Sequence, residues 1–392
     1  MNRVIINLEA LYHNLREIDG MVRGHGAWWS VVSKALCGHE GSLQALQAMG
    51  VRSVADSRLD NLEAINRVAP GLEKWYLRLP YLSVVPDVVE LADVTLNTEI
   101  EVVRALSTEA QRRNRLHHIV LMVEMGDLRE GIPIARLVDF YRQVIELPAI
   151  HVLGLGAQVA CLSGAVPNMD QMTQLLLNRE LLELKFHRKL PVVSAGSSIS
   201  LALILDGRLA RGINHLRIGE ALFLGTDLYN GGTLPGLRTD GVVLEAEIAE
   251  LKEKSLVPLG EMVNPTFESH GPDPSADQSQ PGQRGYRALL TVGEIDTDVR
   301  GLTPLNPEHQ VAGGSSDITV VNVGDDPGGL SVGDTIKFRP NYSAFVRAMN
   351  DPYIRKELQP PLEELGSFLD NHPGPDLDVP PTLDELQPQP GG

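Results

Sequence analysis

Cysteine is almost missing from this chain: 392 residues hold two, Cys37 and Cys161. Two thiols cannot build a disulfide scaffold, and a chain so poor in cysteine is expected in a reducing compartment, the cytoplasm. They form no Cys-x-x-Cys pair, and the histidines show no zinc-ligand spacing. No metal site is therefore expected, and both cysteines read as core residues. Long apolar runs are missing as well. Nothing approaches the ~20 apolar residues of a transmembrane helix, and Met1-Asn2-Arg3-Val4-Ile5-Ile6 has no apolar segment leading to a cleavage site. Positive charge is scarce, with 34 Lys and Arg against 51 Asp and Glu and a net charge of −17. That balance excludes the basic footprint of a nucleic-acid-binding protein and disfavours an anionic membrane surface. No Gly-x-Gly-x-x-Gly follows a strand pattern, which counts against a dinucleotide-binding fold.

The charge is unevenly spread. After Lys356 there is no Lys or Arg, while Glu357 to Gly392 holds eight acids and eight of the 26 prolines. This composition cannot bury enough apolar surface to order itself, so residues 357–392 read as a disordered tail, with the last regular element ending near Ile354. A chain ending at Lys356 is expected to fold. A second low-complexity stretch, 264–285, reads as a mobile insertion.

The remaining chain shows two rhythms. In residues 1–225, short β-branched runs (Val4–Asn7, Trp28–Val32, Ser53–Ala55, Trp75–Leu79, Val94–Leu96, Ile119–Val123, Val152–Gly156, Val192–Val193 and Leu216–Ile218) alternate with amphipathic stretches. In Glu99–Arg113, for instance, Val102, Val103, Leu106 and Ala110 recur at helical spacing. About eight strand–helix repeats predict an α/β fold, a (β/α)8 TIM-like barrel, with an open doubly wound sheet as the alternative. In residues 226–356, strands at Val242–Leu251, Tyr286–Val292, Ile318–Val323 and Thr335–Phe338 are joined by Gly/Pro/Asp turns. They predict a smaller, mostly β second domain.

A parallel barrel gathers its chemistry at the C-terminal ends of its strands. Residues just past the expected strands include Lys34, Asp56, Asn97, Glu124, Arg129, Gln158, Ser194 and the Gly196-Ser197-Ser198 turn, with Arg217 inside its strand. Lys34 ends the apolar run Trp28–Ser33, where partial desolvation would favour a neutral, nucleophilic amine; a lysine snorkelling to solvent is the other reading. Ser194–Ser198 ahead of Ile199–Leu205 is either a phosphate site at a helix start or ordinary capping. Arg217-Ile218-Gly219-Glu220 sets an arginine two residues before a glycine that would let backbone N–H groups approach an anion.

Taken in order, these stretches resemble the alanine racemase family of fold-type-III pyridoxal-phosphate enzymes, in its ornithine/alanine racemase-like branch. The resemblance rests on Val31–His39 around Lys34, Ala55–Leu62, Val123–Gly131, Gly196-Ser197-Ser198 and Leu216–Leu222. It implies a racemase interconverting the L- and D-forms of a free amino acid such as ornithine, alanine or a related basic amino acid. It also implies a homodimer with pyridoxal 5'-phosphate attached to Lys34. Lys34 would be one acid/base group, and Arg129 would lie near the cofactor. Ser197, Ser198, Gly219 and Glu220 would hold its phosphate, and Arg217 would face its ring nitrogen. The chain departs from the family at Gly293-Glu294-Ile295-Asp296, where the family has a catalytic tyrosine in Gly-Tyr-Ala-Asp. Tyr342, Asp296 and Glu294 are then the candidates for the opposing acid/base. The same resemblance leaves two other functions open: a non-catalytic pyridoxal-phosphate-binding protein and a fold-type-III decarboxylase.

Overall fold

A computed structural model describes residues 1–158, 160, 164, 166, 168–257, 282–373, 377 and 380–386. The chain divides into two compact units. One comprises residues 12–34, 38–237 and 366–392, and the other residues 1–11, 35–37 and 238–365.

The first strand, β1 (Arg3–Asn7), is followed by β2 (Trp28–Val32), β3 (Ser53–Asp56), β4 (Glu73–Tyr76), β5 (Val94–Asn97), β6 (His117–Met122), β7 (Ile150–Gly156), β8 (Val192–Ser194) and β9 (His215–Ile218). Strands β2 to β9 close into an eight-stranded parallel barrel, β9 pairing back onto β2. Helices follow the strands, among them Glu40–Ala48, Leu59–Val68, Ile100–Arg112, Ile134–Val144 and Met169–Phe186. Each carries a stripe of buried residues such as Val102, Val103, Leu106 and Ala110. Side chains alternate along a strand, and the inward set packs one apolar cluster: Trp28, Val32, Ala55, Trp75, Val94, Leu96, Val120, Met122, Leu153 and Val192.

The other unit is an antiparallel sheet of β10 (Val242–Ser255), β11 (Arg284–Leu290), β12 (Leu302–Pro304), β13 (Gln310–Gly314), β14 (Thr319–Gly324) and β15 (Thr335–Pro340), in the order β12-β15-β10-β11-β14-β13. β1 joins this sheet, antiparallel to β10 and parallel to β16 (Arg355–Gln359). The Val4–Asn7 run is thus a strand of the β-rich unit, not of the barrel expected over 1–225. Local pattern cannot show this, because an apolar strand reads alike whichever sheet receives it.

Regular structure also continues past the boundary expected at Lys356. β16 is followed by the helix Leu362–Asn371, on which Leu365 is buried. Farther on, the partly buried Leu383 and Leu386 pack against the apolar cluster inside the barrel. Proline and acid density hid the Leu362, Leu365, Leu369 spacing that marks this helix. Residues 264–281 of the expected insertion lie outside the described residues, as does Cys161; Arg284 and Gly285 already belong to β11.

Two outcomes follow from these contacts. A cut after Lys356 removes Glu357, Leu358 and Gln359 from the β1–β16 ladder, so that chain should unfold at lower urea concentration than the full chain. Leu383→Ala combined with Leu386→Ala should cost about 2 kcal/mol of unfolding free energy, from the apolar area they bury. An unchanged urea midpoint for the double variant would show that these contacts do not stabilise the barrel.

Burial also pushes His117 down to about 3 and His118 down to about 4, with a neighbouring histidine adding to each shift. The unfolded chain then takes up these protons first, so stability is full above pH 6.5 and falls as pH drops toward those values. Each histidine should contribute a slope of up to about 1.4 kcal/mol per pH unit. His118→Gln should flatten the urea-measured slope between about pH 6 and pH 4.5.

Candidate active site at the C-terminal ends of the barrel strands

β2 ends at Val32 and passes directly into the short helical turn Ser33–Leu36. Asp56, the last residue of neighbouring β3, pins that turn. Its buried carboxylate accepts from Ser33 Oγ at 2.8 Å, from the backbone N–H groups of Ser57 and Arg58 at 2.7 and 3.0 Å, and from Asn61 Nδ2 at 3.0 Å. Burial pushes this carboxyl up and those four bonds oppose it. Lys34 rides on the turn. The desolvation expected from the apolar run is not found: Val31–Ser33, Ala35 and Leu36 are buried, but Lys34 is exposed. The chain leaves strand geometry at Ser33, and the turn swings the next side chain out of the buried row.

β2 and β9 are neighbours, with Ser30 opposite Arg217 and Val31 opposite Ile218. Lys34 and Gly219 therefore emerge from adjacent strand ends. A Cβ on Gly219 would lie 3.0 Å from both Cβ and the carbonyl oxygen of Val32, so glycine is what lets the exit of β9 approach β2 so closely. Glu220 opens the helix Glu220–Leu224. Burial pushes its carboxyl up, and the charge of Lys34 acts against that shift, which makes the two electrostatic neighbours. Ser198 Oγ accepts from the N–H groups of Gly219 at 3.4 Å and Ala221 at 3.2 Å. Ser197 N–H donates to Ser200 Oγ at 3.2 Å, fixing the preceding turn.

Arg217 is buried to 5% exposure and surrounded by acceptors. Nη1 donates to the carbonyl of Ser194 at 2.7 Å and to Ser194 Oγ. Nη2 donates at 3.0 Å to the carbonyl of Ala157 and at 3.0 Å to Gln158 Oε1. Three residues expected near one another from sequence, Gln158, Ser194 and Arg217, thus share one hydrogen-bonded group. Asn97, at the end of β5, donates to Thr95 Oγ1 at 2.7 Å, while its buried Oδ1 has no hydrogen-bond partner among the described residues.

Other expected residues have different surroundings. Arg129 is exposed in the loop after β6, its guanidinium paired with Glu130. Tyr342 and Asp296 belong to the β-rich unit. Tyr342 is half-buried and opens the helix Tyr342–Asn350, which Asn341 caps by accepting from Ala344 N–H at 2.9 Å. Asp296 accepts from Gly293 N–H at 2.8 Å. Burial pushes its carboxyl up, and Asp351 and Asp317 add to that shift. Cys37 is half-buried, not a full core residue. Among the described residues no group of three or more His, Cys, Asp or Glu could hold a metal ion.

Sequence reasoning missed the polar residues inside the barrel: buried Ser30, Ser53 and His215, and half-buried Glu73. Their one sequence signal is position, since each sits where strand alternation demands an inward side chain, in step with Trp28, Ala55, Trp75 and Arg217.

Comparison with known proteins matches residues 6–227 to the family model described as the alanine racemase N-terminal domain. An ornithine racemase of Acetoanaerobium sticklandii is 33% identical over 359 residues, 91% of this chain and 99% of that protein. A lysine racemase of Thermotoga maritima is 30% identical over 360 residues, 91% of this chain and 98% of that protein. Among solved structures, an alanine racemase from Streptomyces coelicolor aligns with a TM-score of 0.69 at 19% identity, over 91% of this chain and 97% of its own. One from Bartonella henselae, with covalently bound pyridoxal phosphate, aligns with a TM-score of 0.67 at 14% identity, over 91% of this chain and 99% of its own. At such identities the structural neighbours speak for the fold.

The contact at Gly219 can be tested directly. Gly219→Ala forces a methyl against Val32 and should cost about 1–3 kcal/mol, the usual range for overpacking a close contact. Urea unfolding measures it, and a variant as stable as the parent would mean that the β9 exit has room to move.

Proposed function

The chain belongs to the alanine racemase family, and from that premise we propose that it is a pyridoxal-phosphate-dependent racemase. Its substrate in this reading is a free basic amino acid, ornithine or lysine, and it works as a cytoplasmic homodimer. The racemases at 33% and 30% identity support the substrate class. The observation that carries the reading is what adjacent strands β2 and β9 bring to one end of the barrel. They supply an exposed lysine amine, a guanidinium fixed by four acceptors, and past β9 two backbone N–H groups that donate to the Ser198 hydroxyl beyond β8.

This donor set suits pyridoxal phosphate. Ser198 Oγ with the N–H groups around Gly219 and Glu220, and the Ser197 turn beside it, is chemistry for a phosphate. The Lys34 amine is the group for covalent attachment. Arg129 completes the set that the family places near the cofactor. When bound, pyridoxal phosphate supplies an electron-withdrawing ring that eases loss of the substrate α-proton. Lys34 Nζ takes that proton on one face and returns it. Arg217 has donors only, so if it faces the ring nitrogen of the bound cofactor, as the family implies, it would offer an N–H and disfavour a proton there. That would weaken the ring as an electron sink and favour prompt reprotonation, hence racemisation over elimination or transamination. For the opposite face we propose Tyr342 or Asp296. Burial equips Asp296 to keep a proton at higher pH than an ordinary carboxyl.

Borohydride reduction of the cofactor-loaded protein should fix the cofactor on Lys34, and Lys34→Ala should lose both covalent attachment and racemisation. Incubation with L-ornithine and L-lysine in deuterated water should exchange the α-proton and yield the D-forms. Exchange with no amino acid would instead favour a cofactor-binding protein, and carbon dioxide release a decarboxylase. Sedimentation should give twice the chain mass of 42.7 kDa.

A further inference from the structure

Leading away from Arg217, the barrel interior holds a continuous row of polar side chains to which the proposed reaction gives no role. It starts at Arg217, whose Nη1 donates to Ser194 Oγ. Ser194 Oγ lies 2.8 Å from His215 Nδ1, His215 Nε2 lies 2.9 Å from Ser30 Oγ, and Ser30 Oγ lies 2.7 Å from Ser53 Oγ. Ser53 Oγ donates at 3.3 Å to Glu73 Oε1, which also accepts from Trp75 Nε1 at 2.6 Å. Ser30, Ser53, Ser194 and His215 are all buried. The row therefore runs from the first residue of β4 to the residue that ends β8 and on to Arg217 in β9.

Its two ends differ in kind. A guanidinium can only donate, and a carboxylate can only accept. Each hydroxyl between them has one proton to give. Ser194 Oγ, already accepting from Arg217, gives its proton to His215 Nδ1. Nε2 is then the protonated ring nitrogen and donates to Ser30, Ser30 donates to Ser53, and Ser53 donates to Glu73. No member is left without its partner, and only one tautomer of His215 satisfies the row. The ring cannot easily turn to escape it. Trp28 and Trp75 flank it with ring centroids 4.0 and 4.3 Å away, tilted by 35° and 34°. Burial, with Arg217 adding its charge, holds the imidazole well below its ordinary value, so it stays neutral.

We infer that this one-directional hydrogen-bond relay fixes His215 as the Nε2–H tautomer and through Ser194 sets the orientation of the Arg217 guanidinium. His215, Ser30, Ser53 and Glu73 are thus positioning residues for the site. The inference rests on the proposed role of Arg217 for its catalytic consequence, but the tautomer is a property of the chain alone.

Nitrogen-15 NMR of the histidine-labelled full chain near neutral pH, without added cofactor, reads the tautomer. The parent should show His215 as neutral Nε2–H. Ser30→Ala removes the acceptor of that N–H and should shift the ring toward Nδ1–H. Ser53→Ala interrupts the row farther from Arg217 and should loosen the preference, while Ser53→Thr, which keeps a hydroxyl, should restore it. With cofactor and substrate, Ser30→Ala should lower kcat about tenfold and leave KM within about twofold, as expected for loss of one orienting hydrogen bond. A parent ring found as Nδ1–H or doubly protonated, or an unchanged tautomer in Ser30→Ala, overturns the relay. An altered tautomer with unchanged kcat overturns its link to Arg217. Failure of Lys34 to retain cofactor would sink the functional reading instead, and the NMR result would still decide the relay.

Discussion

A guanidinium inside a barrel sets the terms for much of this structure. Arg217 cannot give up its charge, and a buried charge left without partners costs several kcal/mol. The surrounding strands must therefore supply acceptors. The C-terminal end of β8 gives the carbonyl and hydroxyl of Ser194, and the exit of β7 gives the carbonyl of Ala157 and the side chain of Gln158. Once Ser194 is committed to Arg217, its remaining hydrogen bond is spoken for, and the requirement passes to His215 and then down through the serines. A barrel lined only by aliphatic residues would be simpler to pack. This one mixes an apolar cluster from β2 to β8 with a polar seam, and it can do so because every member of the seam finds a partner.

The same end of the barrel shows how a catalytic surface is built from strand neighbours. Lys34 is held out to solvent by a turn that Asp56 ties to β3, while Gly219 lets the exit of β9 press against Val32. Neither device is chemistry in itself. Each decides where a reactive group can stand, and both come from residues one strand away from the group they serve.

The parts legible in the sequence were those governed by short-range pattern. Eight β-branched runs alternating with helical stripes such as Val102, Val103, Leu106 and Ala110 were enough for the barrel, and ordered motifs around Lys34, Ser198 and Arg217 were enough for the family. Long-range pairing was not legible. Nothing in Val4–Asn7 says that its partners are Val242–Glu245 and Arg355–Gln359. Nor do Leu383 and Leu386, scattered among prolines and acids, announce that they pack against the barrel core. Sequence leaves Lys34 open between desolvation and exposure because its neighbours in the chain are buried, whereas exposure is set by where a strand stops. The polar seam escaped notice because single serines in strands carry no signal until the strands are placed side by side.

The placement of β1 has a consequence for how the chain must be made. Its strand partners lie more than two hundred and more than three hundred residues downstream. During synthesis the barrel strands β2 to β9 precede both partners, β10 following β9 closely and β16 far later, so the barrel can close while the β-rich unit still lacks most of its sheet. Until then Val4, Ile5 and Ile6, buried in the finished protein, form an apolar segment without an edge to join. Such segments are prone to pair with other chains. β10 can cover one edge of β1 once it is made, but the other edge stays open until β16 follows, more than a hundred residues later.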